Sequence, residues 1–222
     1  RPNLVGDAFS PPLPVADTPD EASFAYAFEW GPYFAPRALH RVLDAGVMAR
    51  VATKPFAAIT SQGQREFPRG TIIVPFDRQE TGRDSIHELM RTIAADDGVP
   101  VHALTSGKST TGTAGINIGG PSVQAVELPQ VLLVIGDDIS YYDAGEVWHL
   151  ADYRMQMPIT LRNRDSLSSI DWNRYTHIVF PSGDYESHEP KYAERLRLWI
   201  DEGGTAIAMR EAAPWLRAMT LD

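Results

Sequence analysis

With 222 residues, 43% of them hydrophobic and 22% charged, the chain carries enough apolar material for one large cored domain or two small ones, which argues against a disordered chain. Its formal net charge of −9 argues against nucleic-acid phosphates and anionic membrane surfaces as partners, and the absence of cysteine excludes disulfides, thiolate metal sites and a Cys nucleophile. Residues 1–126 hold 11 basic and 13 acidic side chains and residues 127–222 hold 9 and 16, so the acidic excess belongs to the second half.

Residues 1–22 contain five prolines, including Pro11-Pro12-Leu13-Pro14, and read as an extended linker because proline removes backbone donors and restricts its neighbours. Phe24–Trp30 alternates like a strand. Pro36–Ala45 places Leu39, Val42 and Leu43 at helical spacing ahead of Gly46. Val47–Ala52, Phe56–Thr60 and the β-branched run Gly70–Pro75 read as strands. Asp84–Ala95 is predicted as a helix capped by Asp84, with Ile86, Leu89, Met90 and Ile93 inward, stopping at Gly98 before a strand over Val99–Leu104. These elements predict a smaller α/β unit over 23–126, with a Ser/Thr/Gly-rich loop at 105–122 that reads as surface-draped or functional.

Val131–Ile135 opens the second unit, 127–222, as a parallel-type strand, followed by a helix from Ala144 to Arg154. Strands at Pro158–Leu161, His177–Pro181 and Thr205–Met209, a helix over Pro190–Glu202 and a last helix around Ala213 complete it. Strand and helix alternate throughout, which predicts a parallel sheet with helices on both faces. No apolar run approaches the ~20 residues of a membrane helix, and Arg1 opens no signal segment, so an export signal would lie upstream.

Several side chains are candidates for chemistry. Ser106-Gly107-Lys108-Ser109 ends like a phosphate loop, but the pattern needs glycine where His102 stands, so a solvated loop is expected. Glu146, His149 and Asp152 share a helical face, a stripe that could hold a metal or serve as an exposed ion-paired surface; it has no converging second element. Asp137, Asp138, Tyr141 and Tyr142 after the first strand, Ser182, Asp184 and Tyr185 after the third, and Arg210 and Glu211 after the fourth gather at the carboxyl edge of the sheet. Open α/β sheets bind ligands there, so a polar crevice is expected, with an ion pair between Arg210 and a nearby acid as its structural alternative. Ser182 lies in Pro-Ser-Gly rather than Gly-x-Ser-x-Gly, which leaves a hydrolase elbow unsupported. Trp148, Trp172, Trp199 and Trp215 read as core or interface anchors.

The runs Val131–Gly136, His177–Gly183, Leu196–Gly204 and Thr205–Met209, with Gly203-Gly204 turning into a buried strand, resemble class I glutamine amidotransferases. The resemblance implies a flavodoxin-like parallel sheet and a Cys nucleophile on the turn after the last of these strands, where this chain has Met209-Arg210-Glu211. Arg210 is a permanent cation and cannot attack a carbonyl. An amidotransferase-like fold would also continue past Asp222.

A second resemblance spans nearly the whole chain, from Tyr26-Ala-Phe28 through Pro36–Gly46, Pro68–Pro75 and Tyr142–His149 to Ala213–Leu216. The sequence is similar to the region that follows the catalytic domain in large bacterial zinc carboxypeptidases. That implies a secreted or periplasmic parent whose zinc lies in its own catalytic domain, which would be the partner of this non-catalytic segment. No histidine here is followed three residues later by Glu, so no zinc and no other cofactor is expected in the segment itself. The rival readings are a sensor that binds a small molecule or anion at Arg210 and, last, a hydrolase using Ser182 or a metal at Glu146 and His149.

Overall fold

A computed structural model describes residues 15–108, 117–187 and 192–221, and the chain divides into two units, Arg1–Glu127 and Leu128–Asp222. Residues 1–14 of the expected linker, 109–116 of the Ser/Thr/Gly-rich loop with Ser109 of the phosphate-loop candidate, and 188–191 at the start of the expected helix over Pro190–Glu202 lie outside the described residues.

The first unit is built around β1 (Ala25–Phe28), whose four side chains are all buried. The remaining elements are α1 (Ala35–Asp44), β2 (Ala49–Ala52), β3 (Phe56–Thr60), β4 (Gly63–Phe67), β5 (Ile72–Pro75), α2 (Arg83–Thr92), β6 (Val101–Leu104) and β7 (Val123–Val126). They form a seven-stranded sheet in the order β4-β3-β6-β1-β5-β2-β7, and every pairing in it is antiparallel. The expected parallel sheet is thus absent from this unit, which was expected only as a smaller α/β unit. Two of the seven strands, β4 and β7, were not expected at all. Residues 53–55 and 61–62 are the only links from β2 to β3 and from β3 to β4, whereas a parallel crossover needs about a dozen residues.

Alternation along β1 sends Tyr26 and Phe28 to one face and Ala25 and Ala27 to the other. The first face packs against Ala38 and Val42 of α1 and Ile86 and Met90 of α2; the second packs against Phe56 and Phe67, whose rings stack at 5.0 Å. Asp84 lies in the first turn of α2 and Gly82 takes the cap position, so Asp84 favours the helix dipole and is not the cap. The helix continues as a π-helical turn, Ile93–Asp97, whose buried Asp97 meets Arg37 Nε at 2.6 Å and Arg41 Nε at 3.2 Å. Burial pushes the Asp97 carboxyl up, against the pull of Arg41 and Arg37.

The second unit contains β8 (Val131–Ile135), α3 (Tyr141–Trp148), β9 (Thr160–Asn163), β10 (His177–Phe180), α4 (Ala193–Asp201), β11 (Thr205–Ala208) and α5 (Ala212–Leu221). Its four strands are all parallel in the order β11-β10-β8-β9. The link from β9 to β10 departs from strict alternation, because two 3₁₀ turns, Arg164–Ser166 and Trp172–Arg174, stand where alternation would require a crossover helix.

Leu132, Val134, Ile178 and Phe180 line one face and pack against Leu196 and Trp199 of α4 and Trp215 and Met219 of α5. Trp172, Trp199 and Trp215 are buried there as expected. Trp148 is 41% exposed and is no core anchor. On the other face Leu133 and Val179 pack under Ala144 of α3. Gly203 opens β11 at φ 106, and a Cβ on Gly204 would stand 2.3 Å from the Trp199 ring, so both positions of this turn require glycine. Among the described residues no helix is long and apolar enough to cross a membrane.

Candidate functional site

The carboxyl ends of β8, β10 and β11 bring together most of the residues expected at a crevice. Two backbone loops meet there before any side chain does. Ile139 and Gly183 form an antiparallel bridge; the Ser140 amide donates to the Ser182 carbonyl at 2.7 Å and the Asp184 amide to the Asp138 carbonyl at 3.1 Å. A Cβ on Gly183 would lie 2.6 Å from the Asp138 carbonyl oxygen, so the close approach depends on glycine. β8 and β10 are the strands between which the direction of winding reverses, the place where open sheets part to admit a ligand. Here main-chain hydrogen bonds join the loops that would part.

Arg210 occupies the turn from β11 to α5 at φ 49, a left-handed conformation costly for a residue with a Cβ. Its Nη1 donates to Asp143 Oδ1 at 3.2 Å. Asp143 lies in the first turn of α3, where Ser140 caps the helix by accepting from the Asp143 amide, and its Oδ2 is buried with no hydrogen-bond partner among the described residues. Beside this pair the Ser182 hydroxyl donates to Glu211 Oε2 at 3.0 Å. Among the described residues Ser182 thus hydrogen-bonds a carboxylate and no histidine, and a carboxylate accepting its proton in a hydrogen bond is not an activated serine system.

Asp138 takes φ 62 and its carboxylate lies 3.7 Å from Arg164 Nη2, while Arg164 Nη1 donates to the Asp184 carbonyl at 2.5 Å. Arg164 is buried, so it tethers the end of β9 to both loops from below. Hydrogen bonds from the Ser187 hydroxyl and amide hold the exposed Asp184 carboxyl below the usual carboxylate range. Burial raises the Tyr185 hydroxyl far above its ordinary value, and it donates to the Pro181 carbonyl as a core group. Asp137 is exposed, as are Tyr141 and Tyr142, whose rings lie 4.8 Å apart.

The stripe Glu146, His149, Asp152 breaks up. α3 ends at Trp148, and His149 and Asp152 belong to the π-helical turn that follows, which changes the angular spacing. The His149 ring stacks on Tyr153 at 5.0 Å. Among the described residues no group of three or more His, Asp or Glu side chains could hold a metal ion, and Glu146 with His149 supplies too few ligands to fit zinc. At the phosphate-loop candidate, a Cβ on Gly107 would meet the Phe24 ring at 2.3 Å, and the Gly107 carbonyl accepts from the Ile118 amide, so Gly107 is packed against Phe24 and is not open to a phosphate.

Sequence reasoning missed Asp143 and Arg164, the partners of Arg210 and Asp138. It also missed an apolar recess of about 380 Å³ beside the carboxyl end of β8, between that strand, Leu161 of β9 and the near face of α3. The helical spacing of Tyr141, Ala144, Gly145 and Trp148 was its only sequence signal. Comparisons of the chain with protein-family models, curated proteins and solved structures find no match.

Proposed function

We propose that the chain is a non-catalytic accessory module of a secreted or periplasmic zinc carboxypeptidase, with residues 128–222 forming a glutamine-amidotransferase-like, flavodoxin-like domain that has lost its nucleophile. The observation that carries this reading is Arg210. It sits at a left-handed φ of 49 on a sharp strand-to-helix turn, the setting in which an amidotransferase-like fold would present its nucleophile, yet its side chain is a cation tied to Asp143. The strand order supports the same reading. Counted along the unit it runs 2-1-3-4, as in the flavodoxin-like doubly wound arrangement.

The Ile139–Gly183 bridge supports an architectural role, because a crevice joined across its mouth by backbone hydrogen bonds is a poor place to admit substrate. Docking on the parent's catalytic domain is the role proposed. The sensor reading, an anion held by Arg210, is disfavoured by Asp143, whose carboxylate already answers the guanidinium charge.

The test is twofold. The purified chain is expected to hydrolyse neither glutamine nor the C-terminal residues of peptides; turnover that persists through repeated purification and disappears on substituting Ser182 or Glu211 would overturn the proposal. Hydrogen exchange compared between the intact parent enzyme and this chain is expected to show extra protection on one contiguous face, and identical patterns would remove the docking role.

A further inference from the structure

The recess adjoins the polar carboxyl edge, sharing Ile139 and Tyr141 with it, but differs from it in chemistry. The geometry points to a binding site for a small, uncharged aromatic molecule of about two fused rings. Ile135, Ile139 and Leu161 form its floor, and Tyr141, Gly145 and Trp148 its helical wall. Among the described residues no charged side chain lines it. An ionised ligand entering it would lose water without gaining a counter-charge, which selects against charge. Trp148 and Tyr141 are 41% and 76% exposed, so each has ring surface free to meet a second ring edge-on or offset.

Gly145 is the wall residue that bears most directly on the recess, and it is exposed. It sits inside α3, where glycine costs the helix relative to alanine. A Cβ built on it meets nothing within 4 Å, so no neighbour in the fold demands its absence. Tyr141, Gly145 and Trp148 fall at i, i+4 and i+7 on one helical face, which puts the missing side chain at the middle of the wall. A larger residue would stabilise the helix and fill the recess; glycine keeps it open. The volume of about 380 Å³ falls within the range of roughly 300–1,000 Å³ typical of small-molecule pockets and exceeds what one inserted partner side chain fills. This inference is independent of the accessory role proposed above.

The experiment is a titration of the isotopically labelled 222-residue chain with indole, read by amide and indole NMR signals. Saturable shifts centred on Gly136, Gly145 and the Trp148 ring are expected. Gly145→Leu, which occupies the recess, is expected to weaken indole binding by at least about tenfold without lowering Tm, and Gly145→Ala by about two- to fivefold. Indole-3-carboxylate is expected to bind about tenfold more weakly than indole. Absence of saturation up to the solubility limit, shifts of equal size in both Gly145 variants, or shifts spread over Tyr142, Tyr153 and Leu198 as on a generally sticky surface would each overturn the site. Should Gly145→Leu not fold, the Gly145→Ala titration decides alone.

Discussion

The Arg210 guanidinium and the Asp143 carboxylate meet at 3.2 Å, but they meet from opposite environments: the Arg210 side chain is 73% exposed and that of Asp143 only 7%. The acid is therefore the costly partner. An exposed arginine loses little by returning to water, while a buried carboxylate left alone keeps an unanswered charge.

Arg210→Ala is accordingly expected to destabilise the second unit by about 1–2 kcal/mol, the scale of leaving a buried acceptor unsatisfied. Arg210→Gly loses the same partner but relieves the left-handed backbone, worth roughly 1 kcal/mol, and is expected to lie closer to wild type. Urea denaturation followed by tryptophan fluorescence orders the three proteins; an Ala variant more stable than the Gly variant would contradict this account.

Gly183→Ala directs a methyl group at backbone, with the Asp138 carbonyl oxygen 2.6 Å away and Ile139 Cα 3.0 Å away. Neither can swing aside as a long side chain would. A loss of about 1–3 kcal/mol is expected, as for overpacking. Amide exchange at Ser140 and Asp184 should speed up in step, because those two amides close the bridge.

Arg37→Leu breaks a buried pair at its charged end and is expected to cost about 3 kcal/mol at pH 8, with Arg41 still beside Asp97. Burial already pushes the Asp97 carboxyl up, so in the variant the acid escapes its predicament by binding a proton. The deficit should shrink from pH 8 to pH 5. Chemical denaturation at the two pH values checks the direction.

His102, on β6, gives a pH dependence of known sign. Burial lowers its pKa from the ordinary value near 6.5, and the nearby Arg65 charge adds to the shift. The folded state therefore binds the proton less readily than the unfolded one. The stability this provides is complete above about pH 6.5 and is lost as pH falls through the lower, folded value. Between pH 7 and pH 5 wild type should lose more Tm than His102→Gln, and Arg65→Gln should fall between them. Equal losses in all three would show that His102 is not the group responsible.

Legibility in the sequence followed the chemistry of each segment. Helix α2 announced itself because Ile86, Met90 and Ile93 repeat at helical spacing and all are buried. The turn into β11 was legible because Gly203 and Gly204 answer a backbone and a packing demand that no other residue meets. β4 was not, because Gln64, Arg65 and Glu66 all face solvent and a strand with little apolar content has no period to read. Nor was the antiparallel sheet, which follows from the shortness of particular links and not from the strands themselves. The site fared similarly: Arg210 was legible as a misplaced cation, but its partner Asp143 lies 67 residues away in the chain, a distance that only the fold closes. Trp148 looked like core because its helix is apolar, and its exposure depends on what the neighbouring strand leaves uncovered.

The polar residues that concealed β4 have a consequence beyond the fold. β4 is an outer strand, and outer strands offer unpaired amides and carbonyls to any passing chain. Gln64, Arg65 and Glu66 surround that offer with polar and charged groups, and Arg65 is held in place by Glu29 at 2.8 Å. A second molecule that tried to extend the sheet at this edge would have to strip those groups first. Replacing all three with valine would turn a guarded border into a template for fibrils.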